Sequence, residues 1–344
     1  YLFSNKMNSA EVEPSQRLDW TWDNQIDYAK TIGDHSFSGM GWFSLYRSER
    51  ETYGMKGYDI PNDKLSYHAL QKAASSDKTI ESNYTENTLV SGAFRANYSY
   101  KGRYMATATV RADGSSRFAE GNRWGWFPAA ALAWRMSEEN FLKDVAWLDN
   151  LKLRVSYGVT GNNNVGDYVT QYLASGPRYV VLDGAEMQAY YPNGMINTEL
   201  LWEKVKEFDF GFDVSVLNNR VNLTADLYNR LSDGQIMDRA IPLETGESKA
   251  TFNVGSVRNR GIELGLQLGV IRNREFSWDV NVNFSRNWNK ILELSNGKID
   301  EVASNRFIGK PLNYLRDYTH TDVITDKGVT MKTKDGDIHY TLKE

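Results

Sequence analysis

Along much of the chain, apolar and polar side chains alternate with a period of two. From Tyr104 onward, Tyr104, Ala106, Ala108, Val110 and Ala112 are separated by residues that include Thr107, Thr109 and Arg111. A polar tip, Gly114-Ser115-Ser116-Arg117, leads to Trp124-Gly125-Trp126-Phe127-Pro128. A second run then puts Ala130, Leu132 and Trp134 on one face. A third sets Leu151, Leu153, Val155 and Tyr157 against Lys152, Arg154 and Ser156. Neighbouring side chains of a strand point to opposite faces, so this pattern predicts a sheet with one face in an apolar medium and the other in a polar one.

The same period predicts strands over Leu18–Ile32, Phe37–Arg47, Thr88–Tyr100, Trp202–Val216, Val221–Tyr228, Ile262–Val270 and Phe276–Phe284, with a last one near Phe307–Tyr318. Tight turns are expected at 33–35, 101–102 and 217–220. Long loops are expected at 48–87 (with a brief helical patch at 65–74), 161–198 and 231–256, and residues 1–17 read as loop. Ser137, followed by Glu138 and Glu139, predicts the N-cap of a short helix over 140–147. About ten strands joined alternately by short turns and long loops match an outer-membrane barrel. The expected fold is therefore all-β, a transmembrane antiparallel β-barrel. Trp20, Trp22, Tyr100, Tyr104, Trp124, Trp126, Trp134 and Trp278 fall near strand ends, where interfacial aromatic belts form.

Composition narrows the field. The chain has 344 residues, no Cys, four His and a formal charge of -4. Without cysteine there is no disulfide framework and no thiolate metal site. No sustained Lys/Arg block argues for nucleic acid. No apolar run reaches the roughly 18 residues of a membrane-crossing helix, which leaves a membrane barrel open. No secretory leader is recognisable at Tyr1-Leu2-Phe3, so the chain is expected to be part of a longer polypeptide.

Chemistry-bearing motifs are scarce. His35, His68, His320 and His339 are scattered, and no zinc-protease, nucleophile-elbow, phosphate-loop or dinucleotide signature is present. Neither catalysis nor a cofactor is expected. Asp335-Gly336-Asp337 lacks calcium-loop spacing and reads as a turn. Glu203, Glu207, Asp209 and Asp213 form an acidic ladder opposite Phe208, Phe210, Phe212 and Val214, as a solvated lumenal wall would. Gly261, Gly265 and Gly269 share the polar face of their strand, which predicts a close approach by a plug or loop. The candidate substrate-binding residues lie in the 161–198 loop: Asn162, Asn163, Asn164, Asp167, Tyr168, Tyr172, Arg178, Tyr179, Tyr190 and Tyr191. Aromatic faces stack on sugars or peptide side chains, and Asn and Asp supply directed hydrogen bonds.

The run VRADGSSRFAEGNRWGWFPAAALAWRMSEENFL, followed by LDNLKLRVSYGVTGNNNVGDY, resembles the barrel region of SusC/RagA-type TonB-dependent outer-membrane transporters. Later segments, LLWEKVKEFDFGFDVSVLNNRVNLTADLYNRLSDGQIM and NVGSVRNRGIELGLQLGVIRNREFSWDVNVNFSRNWNKI, resemble the strand pairs that follow. The likeness covers most of residues 88–320. It implies that residues 1–344 are part of a barrel of about 22 strands, with an N-terminal plug and further strands outside this sequence. It also implies an outer-membrane location, a SusD-like surface lipoprotein as partner, coupling to TonB through the plug, and uptake of oligosaccharide or peptide. The competing readings are a passive porin-like or adhesin barrel and a soluble carbohydrate-binding β domain.

Overall fold

The structure is a computed structural model that describes residues 8–60, 63–73, 78–192, 194–314, 319–325, 328–333 and 336–340, with side chains except at 63, 65, 175–178 and 319 onward. One antiparallel sheet of eleven strands dominates it. The strands are β1 (Ser9–Val12), β2 (Ser15–Ile32), β3 (His35–Tyr58), β4 (Lys78–Tyr100), β5 (Tyr104–Ser115), β6 (Trp124–Arg135) and β7 (Leu148–Asn162). After a hairpin of β8 (Ala174–Leu182) and β9 (Ala185–Pro192), the sheet resumes with β10 (Glu203–Val216) and β11 (Val221–Asp233). A second hairpin, β12 (Ile236–Ala240) and β13 (Lys249–Asn253), precedes β14 (Ser256–Arg272) and β15 (Ser277–Glu293). Beyond it, β16 (Thr319–Thr325), β17 (Gly328–Thr333) and β18 (Gly336–Tyr340) form a small separate sheet.

Every long strand pairs with the next long strand in the chain, an up-and-down meander. Its outer strands β2 and β15 do not pair with each other, so the sheet is open. The register carries the alternation across the wall. Phe210 lies opposite Val155 and Leu227, Leu227 opposite Ile262, and Leu264 opposite Phe284. Val155 continues the row to Leu132, Ala106, Tyr98 and Phe37. One face is thus apolar from β3 to β15, and large residues such as Phe94, Leu132, Phe208 and Phe284 stand exposed on it. Such a face needs an apolar medium.

Aromatic belts border that face. At the short-turn end His35, Tyr98, Tyr100, Tyr104 and Trp134 form a chain of ring contacts, with His35 and Tyr100 centroids 4.8 Å apart. At the other end stand Trp124 and Trp126, and Trp22 edge-on to Phe43. Trp124 and Trp134 share β6; at about 3.4 Å per residue and a tilt of about 40° they are ~26 Å apart, the height of a lipid-facing band.

Several expectations are corrected. Residues 48–87 are mostly strand: β3 has 24 residues and β4 has 23, with a distorted 3₁₀ segment over Asp63–Lys72 between them. A bilayer is crossed by about 9–11 residues, so the upper halves of these strands have water on both sides and lose the alternation that reveals a strand. Residues 1–17, read as loop, contain β1 and the start of β2. The helix expected over 140–147 is a 3₁₀ turn at Met136–Glu138 followed by further turns, and Ser137 caps nothing. The 161–198 and 231–256 loops each carry a hairpin. No strand forms over 307–314, and 315–318 lie outside the described residues.

Candidate functional site

The face opposite the apolar one is charged, and several of its charges are paired. The Arg154 guanidinium donates to both Asp213 carboxylate oxygens at 3.0 and 3.1 Å and lies 2.8 Å from Asp226. Arg230 donates to Glu207 at 2.9 Å. Arg111 grips Asp113 and lies over the Trp42 ring, 5.0 Å from its centroid. Glu207 and Asp213 of the acidic ladder thus meet cations from neighbouring strands, whereas among the described residues Glu203 and Asp209 form no ion pair. Two glycines of this face make room for this packing. The Tyr228 ring fills the space beside Gly261, and Asp226 with Arg154 fills that beside Gly211; a Cβ at Gly265 would make only ordinary contacts with Asn283 and Thr224.

Toward the long-loop end the inner face changes character. Phe118, Phe127, Val165, Leu200 and Trp202 form a buried cluster, with Phe118 1% and Leu200 0% exposed. Trp202 lies 5.2 Å from Phe118 and 5.4 Å from Phe127, and its indole N–H donates to the Arg123 carbonyl at 2.9 Å. A Cβ at Gly125 or Gly161 would run into the Phe127 ring, so glycine is what admits the aromatic there. Burial alternates through Trp124-Gly125-Trp126-Phe127, odd positions in and tryptophans out. The core thus lies on the inner face, under the loops 116–123 and 163–202.

This core sorts the candidate residues into two groups. Asn163 donates to Ser115 Oγ at 3.2 Å, and Asp167 accepts from Arg117 at 2.8 Å. The Tyr168 hydroxyl accepts the Glu86 backbone N–H at 2.8 Å while its own backbone has a positive φ of 64°. Asn162 donates to Glu203 and accepts the Asn164 backbone N–H. These side chains tie the first half of the connection to β4, β5 and β10. Tyr172, Tyr179 and Tyr190 are 71%, 68% and 66% exposed, and Tyr191 is less so. The Arg178 side chain lies outside the described residues.

A polar cleft of about 530 Å³ lies next to the anchored half, lined by Glu11, Glu13, Arg50, Glu81, Asn83 and Asp167 among others. Of these the sequence points only to Asp167, because the upper parts of β3 and β4 and residues 1–17 read as loop. Among the described residues no group of His, Asp and Glu has the arrangement to hold a metal. His35 stacks in the aromatic belt, with Nδ1 2.8 Å from the Tyr98 hydroxyl. Outside the membrane zone the carboxylates of Glu139 and Asp238 are among those held below their ordinary range. Hydrogen bonds from the Tyr104 hydroxyl and the Trp134 indole do this for Glu139. The Lys249 amine and the Thr251 hydroxyl do it for Asp238.

A sequence model of the family "TonB dependent receptor-like, beta-barrel" matches residues 2–330. TonB-dependent receptor P39 of Formosa agariphila is 36% identical over 295 residues, covering 84% of this chain and 28% of the relative. TonB-dependent receptor SusC of Bacteroides thetaiotaomicron is 35% identical over 310 residues, covering 86% of this chain and 30% of SusC. The chain thus spans under a third of these relatives. The RagAB peptide importer in its open-open state superposes with a TM-score of 0.82 at 24% identity, covering 98% of this chain and 37% of that one. At that identity the likeness shows the fold alone.

Proposed function

The chain belongs to the TonB-dependent receptor β-barrel family, as a SusC/RagA-type member, and from that premise we propose that it is a wall segment of an outer-membrane nutrient importer. In this reading the open edges at β2 and β15 pair with further strands of the same barrel. In hydrocarbon every unpaired backbone group costs several kcal/mol, so an open sheet does not span a bilayer. A plug fills the lumen and couples it to TonB, and a SusD-like surface lipoprotein covers the long-loop end. The cargo is an oligosaccharide or peptide, large and polar enough to need the wide barrel. The single observation behind the reading is the apolar outward face, continuous in register from β3 to β15, set against a charged inner face.

Cargo contact is assigned to the long-loop end. The polar cleft beside Asp167 offers charged and amide groups, and the exposed Tyr172, Tyr179 and Tyr190 offer flat faces. Uptake of labelled oligosaccharides and peptides by cells expressing the full-length receptor tests this. Uptake should vanish when TonB is removed, and uptake that persists without TonB would establish a passive pore instead. Changing Tyr172, Tyr179 and Tyr190 together to Ala should weaken capture about tenfold and leave the saturated rate unchanged.

A further inference from the structure

The outward face is uncharged in its middle rows, but at its long-loop border on β14 and β15 it carries four cations. Above the apolar run Ile262–Val270, the next outward positions of β14 are Arg260 and Arg258. Above Phe284 on β15 they are Arg286, Trp288 and Lys290. Register brings them together: Arg258 lies directly opposite Lys290, and Arg260 opposite Trp288, with Arg286 one outward position below.

Some other outward cations at this border are neutralised. Arg47 reaches Glu49 at 2.7 Å and Glu86 at 3.2 Å, and Lys206 reaches Asp233 at 3.0 Å. Among the described residues Arg258, Arg260, Arg286 and Lys290 have no carboxylate partner. Arg260 donates only to the neutral Asn229, at 2.9 Å, and Arg286 lies over the Trp288 ring, 5.0 Å from its centroid. The Arg258 Nε is buried without an acceptor. Like charges directly across a strand pair repel unless an anion lies between them, and basic residues at headgroup depth attract anionic lipid.

From this juxtaposition we propose that Arg258, Arg260, Arg286 and Lys290 bind the phosphate groups of an anionic glycolipid headgroup in the outer leaflet, with Trp288 seated at the interface beside it. Guanidinium forks match phosphate oxygens two at a time, and an indole sits well at headgroup depth. The site rests on the outer-membrane orientation proposed above, with the long loops outside. It holds the barrel at a fixed depth through lipid rather than through cargo.

The test is native mass spectrometry of the full-length receptor, stripped of carried lipid and titrated with three probes. These are diphosphorylated lipid A, the same glycolipid with both phosphates removed, and inorganic phosphate. Removing the phosphates should weaken binding about tenfold or more, as should the combined Arg258→Gln, Arg260→Gln, Arg286→Gln and Lys290→Gln variant. Lys249→Gln, on a distant exposed hairpin, should change nothing. Heat-modifiable mobility confirms that each variant forms a barrel; if the fourfold variant does not, Arg286→Gln with Lys290→Gln replaces it and should still lose several-fold. Equal binding of the dephosphorylated lipid, unchanged binding by the neutralised barrel, or displacement by inorganic phosphate at millimolar level would each overturn the site. A wild-type receptor that inserts and imports but ignores the phosphates removes this inference alone. One that never enters a membrane removes the importer reading with it.

Discussion

The wall has two zones of opposite polarity. Between the aromatic belts apolar side chains point outward and the inner face holds charge pairs such as Arg154 with Asp213. At the long-loop end the order reverses. Phe118, Phe127 and Trp202 are buried on the inner side, while Arg47, Glu49 and Glu86 meet on the outer side. The same strands thus pass from a membrane protein's arrangement to a soluble protein's within a few residues. Where the surrounding medium changes, the rule that assigns a face to a residue changes with it.

The sharpest way to break this comparison is to empty the inner core. Trp202→Ala removes an indole packed against two phenylalanines and should lower stability by about 3–5 kcal/mol. Unfolding of the refolded full-length barrel in detergent measures it, and residues 163–202 should become sensitive to protease. A loss below 1 kcal/mol would mean that the loops hold themselves without the core.

The membrane zone is tested by a matched pair. Phe210→Arg should cost about 2–4 kcal/mol and Asp209→Arg, one residue away on the inner face, far less. Equal losses would abolish the assignment of faces.

The smallest effect concerns pH. The folded pKa of Asp238 is depressed by Lys249 and Thr251, so its contribution is present above the ordinary carboxylate value, about 3.9, and fades as pH falls through the lower folded value. Both partners of the ion pair are largely exposed, so the change is local and modest. Amide exchange in Ile236–Asn253, corrected for intrinsic rate, should rise on acidification in the wild type and show no such step in Asp238→Asn.

Legibility in the sequence followed the same zones. Phe208-Asp209-Phe210 announces a strand because lipid and water select its two faces separately. Past Arg47 both faces of β3 are wet, so Ser48 to Tyr58 shows no period and reads as loop. The inner core was beyond reach for another reason. Phe118, Val165 and Leu200 come from separate segments, and no local pattern reports a contact between distant loops. One local signal did exist: Gly125 between two tryptophans, where the small residue makes room for Phe127. Among the candidate residues, sequence alone could not separate Tyr168, whose hydroxyl is bound to β4, from Tyr172, which stands free in solvent.

The meander connectivity has a consequence for ancestry. Because each long strand is bonded to its successor in the chain, the sheet is a string of hairpins and not a set of interleaved crossovers. Duplicating or deleting one hairpin changes the circumference by two strands and leaves the register of every other pair as it was. A cylinder assembled this way can widen or narrow by gene-level copying, with repair needed only at the seam where its first and last strands meet.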